Sequence, residues 1–180
     1  MDPRTAPLID FWREAVTEGR WMRKEDAFDR LFRDRFLALH MDAAARRCDD
    51  WIDTPEGALA LMVLLDQFPR NAFRGTAHMY ATDGLARMFA GEAVRRDYIT
   101  RVEEGFRVFF IFPFTHSEDL ADQEQSVALS ARISAERAQR VGGHRDIVRR
   151  FGRFPHRNRV LGRRNTPEEE AFLAGGGFSG

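Results

Sequence analysis

The period of its apolar residues is what most constrains this chain. Leu8, Phe11, Trp12 and Ala15 fall on one helical face, the set Phe28, Leu31, Phe32, Arg35, Phe36 and Leu39 repeats at three and four, and Leu85, Met88 and Phe89 do so again. No segment alternates apolar and polar residues over a strand's length, and no Asn-Gly hairpin turn appears. The pattern predicts an all-α protein of about seven to nine helices packed as antiparallel hairpins. They are expected over Ala6–Glu18, Lys24–Leu39, Met41–Arg47, Pro55–Gln67, Gly75–Phe89, Asp97–Phe110, Ser117–Arg140, Gly143–Phe151 and Pro167–Leu173. Thr54-Pro55-Glu56 and Thr166-Pro167-Glu168-Glu169 write two helix starts, with a threonine cap, proline at the first helical position and acid in the first turn. The run from Ala58 to Leu65 is apolar on every side and marks the buried centre. Ala128, Ala131, Ala135 and Ala138 form a small-residue stripe that would let a neighbouring helix approach closely.

A chain of 180 residues is expected to form one domain, residues 1–180, with 1–5 and 175–180 as loosely ordered tails. The first twelve residues carry Asp2, Arg4 and Asp10 and lack a signal-peptide core, and no apolar run approaches a membrane span, so a cytoplasmic protein without membrane contact is expected. Acidic and basic side chains balance at 28 each, but all the basic ones except Lys24 are arginines. Lys24 has no glycine loop beside it, which excludes a phosphate-cradling Walker loop and argues against Schiff-base chemistry. Arginines stay protonated, so they bind and orient anions without acting as bases or nucleophiles. The lone Cys48 can build neither an internal disulfide nor a Cys-rich zinc site.

Three segments interrupt the helical pattern: Leu65-Asp66-Gln67-Phe68-Pro69-Arg70-Asn71, Pro113-Phe114-Thr115-His116-Ser117-Glu118-Asp119, and Arg150-Phe151-Gly152-Arg153-Phe154-Pro155-His156-Arg157-Asn158. The first and third echo each other, and each is expected just past a helix that its proline cannot continue. Asp66, at the C-terminal end of an apolar helix, sits where the helix dipole disfavours a carboxylate and so needs a cation or several donors; an arginine fork is the natural partner. Thr115-x-x-Glu118 fits a capping box, and Ser117 is a competing cap. Neither explains His116, which beside two carboxylates is a candidate acid, base or ligand. His144 shares an apolar face with Ile147, Val148 and Phe151, while His156 lies in a turn between Arg153 and Arg157. His40 and His78 show no pattern. There is no His-Glu-x-x-His and no regular carboxylate loop, so no metal site and no cofactor is assigned.

Charge is unevenly placed. Residues 1–131 hold 17 basic and 23 acidic side chains, residues 132–164 hold 11 and 2, and residues 165–180 hold none and 3. The favoured reading is a binding module in which Asp66, Arg70, Asn71, His116, Glu118, His144, Arg153, His156, Arg157 and Asn158 line a polar site for a small anionic or carboxylate-bearing molecule or peptide. The second is a hydrolase using His116 and His156 with Glu118 or Asp66, with or without a divalent metal. Nucleic-acid binding through residues 132–164 ranks third, because a charge run of this kind is usually a solvated or internally paired helix face.

The chain also resembles a bacterial family known only as domain of unknown function nine-two-four, assigned to the tetratricopeptide-like helical superfamily. The resemblance runs from Ile9-Asp10-Phe11-Trp12 to the tail. It rests on Leu64-Leu65-Asp66-Gln67-Phe68-Pro69-Arg70-Asn71, on Pro113-Phe114-Thr115-His116-Ser117-Glu118-Asp119 with Gln123-Glu124, and on His144-Arg145-Asp146-Ile147 leading to Phe151–Asn158 and Leu161-Gly162-Arg163. It implies a TPR-like bundle of helical hairpins and no established activity.

Overall fold

The computed structural model describes residues 2–178, and within them every regular element is helical, with no strand. The α-helices are α1 (Thr5–Thr17), α2 (Asp26–Ala44), α3 (Pro55–Met62), α4 (Phe68–Ala72), α5 (Asp83–Arg95), α6 (Phe112–Thr115), α7 (Leu120–Ala131), α8 (Ala135–Phe151) and α9 (Pro167–Ala174). Short 3-10 turns join several of them. The chain clusters into two compact units, Met1–Arg74 with His78–Pro113, and Gly75–Ala77 with Phe114–Gly180.

In the first unit, α3 is the centre that its all-apolar sequence demands. Ala58 to Met62 and on to Leu65 are 0–2% exposed. Helix α1 buries Leu8, Phe11, Trp12 and Ala15 as its period predicts. Helix α2 differs from expectation in two ways. It runs unbroken past His40, because nothing there breaks a helix, and its buried row is the i, i+4 series Phe28, Phe32, Phe36 and His40, leaving Leu31 exposed. Phe28, Phe32 and Phe36 all stack or tilt against Phe11, with centroids 5.2–5.4 Å apart. Gly57 is required near the start of α3, since a Cβ there would lie 2.2 Å from the Trp51 carbonyl oxygen.

The helix expected to stop before Pro69 does not stop. After Met62 the backbone makes one π-helical turn, Val63–Gln67, and then continues as α4 with Pro69 in its first turn, where the missing N–H costs little. Four successive carbonyls in this stretch accept side-chain donors: Leu64 from His40 Nδ1 at 2.9 Å, Leu65 from the Thr82 hydroxyl at 2.6 Å, Asp66 from Arg70 at 2.7 Å, and Gln67 from Asn71 at 2.9 Å. Those bonds satisfy backbone groups that the irregular turn exposes inside the core.

The second unit is built on α7 packed against α8, joined through Arg132–Ser134. The expected single helix Ser117–Arg140 breaks there because Ser134 turns extended and caps α8, accepting from the Arg137 N–H at 3.1 Å. Helix α8 then runs through the expected boundary at Gly143 to Phe151. Asp119, not Thr115 or Ser117, caps α7 by accepting from Ala121 and Asp122 N–H. The break also puts the alanine stripe out of register: Ala128, Ala131 and Ala135 are exposed, and α7 buries Gln123, Ser126, Leu129 and Ser130 instead. The two Thr-Pro-Glu starts hold as read. Thr54 accepts from Gly57 N–H, and Thr166 with Glu169 forms a full capping box at α9.

The tails are also placed as far as they are described. Thr5 is buried at the start of α1, and Gly177 N–H donates to the Phe172 carbonyl at 2.9 Å. Met1 and residues 179–180, which the loose-tail expectation included, lie outside the described residues. Among the described residues, no helix is long and apolar enough to cross a membrane.

Candidate functional site

The ten candidate residues fall in both units. Asp66, Arg70 and Asn71 belong to the first, where the π turn and α4 position them. Asp66 is fully buried, and its carboxylate accepts from the neighbouring Gln67 amide at 2.5 Å and lies 3.2 Å from Arg70. Arg70 turns its fork onto Asp83, at 2.8 and 3.0 Å. Burial opposes the charge on Arg70, but Asp66 and Asp83 outweigh it and hold the guanidinium more firmly protonated than usual. Asn71 bridges the Gln67 carbonyl and Arg74. The arginine partner expected for Asp66 is therefore present, within a network that closes on the protein's own carboxylates.

In the second unit, Glu118 sits one residue before the cap of α7. It accepts the Phe154 N–H at 2.8 Å and a two-pronged bond from Arg163 at 2.6 and 2.8 Å. Burial raises its pKa, but Arg163 and the Phe154 N–H outweigh burial and leave it lowered. A carboxylate held in this way ties the 154–163 loop to the start of α7 and is poorly placed to shuttle protons. Arg153 makes the same kind of fork with Glu169, at 2.6 and 2.8 Å, and this pair with the Thr166 N–H drives the Glu169 carboxyl down to about 2. Asn158, fully buried, donates to Asn165 and Glu169.

Most of the basic excess of residues 132–164 is paired in the same way. Arg140 meets Glu136, Arg145 and Arg149 meet Glu124 and Asp146, and Arg150 meets Glu168.

What remains is a group of three imidazoles. His116, His144 and His156 come from the 114–119 turn, the middle of α8 and the 3-10 turn Pro155–Arg157. They interact electrostatically with one another and with Arg157. Arg157 is 6% exposed, donates to the His116 carbonyl at 2.8 Å and lies over the Phe154 ring at 4.6 Å. Phe154 also faces His144 and His156, with ring centroids at 6.1 and 5.6 Å. Burial first, then the neighbouring positive groups, push both His144 and His156 down to about 4, so each is neutral at pH 7. The Arg140 carbonyl opposes this at His144 and Glu118 opposes it at His156. His156 Nδ1 is buried with no hydrogen-bond partner among the described residues. No group of three or more His, Cys, Asp or Glu side chains among the described residues is arranged to hold a metal ion.

The family model for a bacterial protein of unknown function, DUF924, matches residues 8–177. The chain belongs to that family. The DUF924 chain is also similar to a solved structure, the protein of unknown function ATU0120 from Agrobacterium tumefaciens, at 52% identity. That similarity covers 94% of this chain and 96% of the other, with a TM-score of 0.90. No curated protein matches this DUF924 member.

Sequence reasoning missed three participants. Arg163 holds Glu118, and nothing in its local sequence sets it apart from the neighbouring arginines. His40 completes the Phe28, Phe32, Phe36 row at the next i+4 position, a signal present in the sequence. Gln123, fully buried, donates its amide to the carbonyls of Phe114, Thr115 and Ser117 and so fixes the turn that carries His116. Nothing local in the sequence marks that contact.

Proposed function

We propose that this DUF924 protein is a cytoplasmic binding protein whose second unit takes a small carboxylate-bearing anion at the His116, His144, His156 and Arg157 cluster. The observation that carries the reading is the buried, unpartnered Nδ1 of His156, within a group of imidazoles that a cationic guanidinium already crowds. A buried polar atom without a partner costs free energy, and a ligand oxygen or N–H that meets it recovers that cost. Neutral His156 can present its N–H at the unpartnered nitrogen, and Arg157 supplies fixed positive charge, which together suit a carboxylate. An anion there also offsets the positive neighbours that add to burial in depressing the imidazoles, so binding is coupled to proton uptake and tightens below neutral pH.

Arg70, Arg153 and Arg163 are assigned to holding the fold, because each fork is closed on an internal carboxylate. The test is a thermal-shift series with acetate, malonate and chloride at matched ionic strength, on the wild type and on His156→Phe. The reading expects carboxylates, and not chloride, to raise the Tm of the wild type by mass action, and His156→Phe to lose that rise. Equal shifts for all three salts, or an unchanged carboxylate effect in His156→Phe, would overturn it.

A further inference from the structure

The apolar neighbours of the two depressed imidazoles come from loop and tail, and the tail contribution is unusual. Phe178 lies edge-on to both rings, with centroids 4.6 Å from His144 at 67° and 5.1 Å from His156 at 81°. Phe154, fully buried, contacts the same two imidazoles, at 6.1 and 5.6 Å, whereas Phe178 is still 37% exposed. Edge-to-face contact at 4.5–7 Å is the arrangement aromatic rings prefer, so the imidazoles present a slot whose shape suits a six-membered ring.

The route by which Phe178 arrives is built from glycine. After α9 the chain runs Gly175-Gly176-Gly177, with Gly176 at φ +79°. A Cβ on Gly177 would stand 2.5 Å from the Phe172 carbonyl oxygen and 2.6 Å from its ring, so this turn accepts no larger residue without shifting. Phe172 is itself fixed against Phe151 at 5.0 Å. The turn thus directs Phe178 back over α8, while the half-open ring and the short glycine lead leave its hold on the slot easy to displace.

We propose that His144, His156 and Phe154 form an aryl-binding slot, that its ligand is an aromatic carboxylate, and that Phe178 occupies the slot as an internal competitor. The proposal rests on the anion reading of the same cluster and adds the second half of the ligand: a ring in the place of Phe178, with its carboxylate toward the His116 and Arg157 side. A competitor that fills a site most of the time lowers apparent affinity by the fraction of time the site is open.

The test uses the full chain with phenylacetate, acetate and benzyl alcohol as probes, followed through the imidazole NMR signals of His144 and His156. Phe178→Ala is expected to bind phenylacetate about 10-fold more tightly than the wild type, corresponding to a slot open about a tenth of the time, while acetate changes by less than about twofold. Gly177→Ala keeps the phenyl ring but displaces the turn, and is expected to gain affinity for phenylacetate in the same direction, which a mere hole left by Phe178→Ala would not reproduce. Phenylacetate that binds the wild type but binds neither variant more tightly overturns the slot. If acetate binds equally in all three proteins and phenylacetate gains nothing, the slot falls and the anion site stands. If benzyl alcohol gains in the variants and neither carboxylate binds, the slot stands and the anion reading falls. No binding of any probe removes both.

Discussion

Acidification is the perturbation whose effect can be worked most directly from the structure. His144 and His156 titrate near 4 when folded, against an ordinary value of 6.5. Their folded pKa is depressed, so the unfolded chain binds more protons between those two values, and stability present above pH 6.5 is lost as pH falls toward 4. At pH 5 each unfolded imidazole is almost fully protonated and each folded one is almost neutral, which corresponds to about 2 kcal/mol per group, or about 4 kcal/mol for the pair. His40, buried against Leu64 and Phe68, is depressed in the same direction and adds to the loss. The paired carboxylates act lower: Glu169, held at about 2 against 4.5, starts to withdraw its contribution only below about pH 5. Urea unfolding at pH 7, 6 and 5 therefore isolates the histidines. The wild type is expected to lose several kcal/mol over that range, and His144→Gln with His156→Gln is expected to remove most of the slope. A double variant with the same pH slope as the wild type would refute the reasoning, because the slope would then belong to other groups.

Three further outcomes follow from contacts in the fold. Thr82→Val leaves the Leu65 carbonyl of the π turn without its hydroxyl donor and is expected to cost about 1–3 kcal/mol in denaturant unfolding; a neutral result would mean that the turn needs no such cap. Arg153→Met strands the buried Glu169 carboxylate and is expected to cost about 3–5 kcal/mol, while Arg153→Met with Glu169→Leu recovers much of it. Gly57→Ala forces a methyl against the Trp51 carbonyl and is expected to lower the Tm, with a cost of about 1–3 kcal/mol, despite alanine's better helix propensity.

The helical periods and the two Thr-Pro-Glu starts were legible because each is a local rule: a face repeated at three and four, or a cap, a fixed φ and an acid within one turn. The π turn was not legible. Pro69 reads locally as a stop, and only the donors from His40 and Thr82, distant in sequence, make it worthwhile to continue. The break at Arg132–Ser134 was likewise hidden, since Ser134 is an ordinary residue until its hydroxyl finds Arg137. For the site, the residue types were readable and their allegiances were not. Sequence put Arg70, Arg153, His156 and Arg157 side by side as candidates, and tertiary pairing separates them: two forks closed on Asp83 and Glu169, against an imidazole with an unpartnered nitrogen. Composition explains why. With arginine as almost the whole basic set, the same side chain must both hold carboxylates in the core and present charge, and only geometry tells which is which.

The central claim is that the three imidazoles and Arg157 accept a carboxylate. Its most direct test is an NMR titration of the histidine side chains with acetate at fixed ionic strength, read as a function of pH. The account predicts saturable shifts at His144 and His156, and apparent pKa values for both that rise above about 4 as acetate saturates the site. Shifts that grow linearly without saturating, or pKa values that stay near 4 at every acetate concentration, would contradict it.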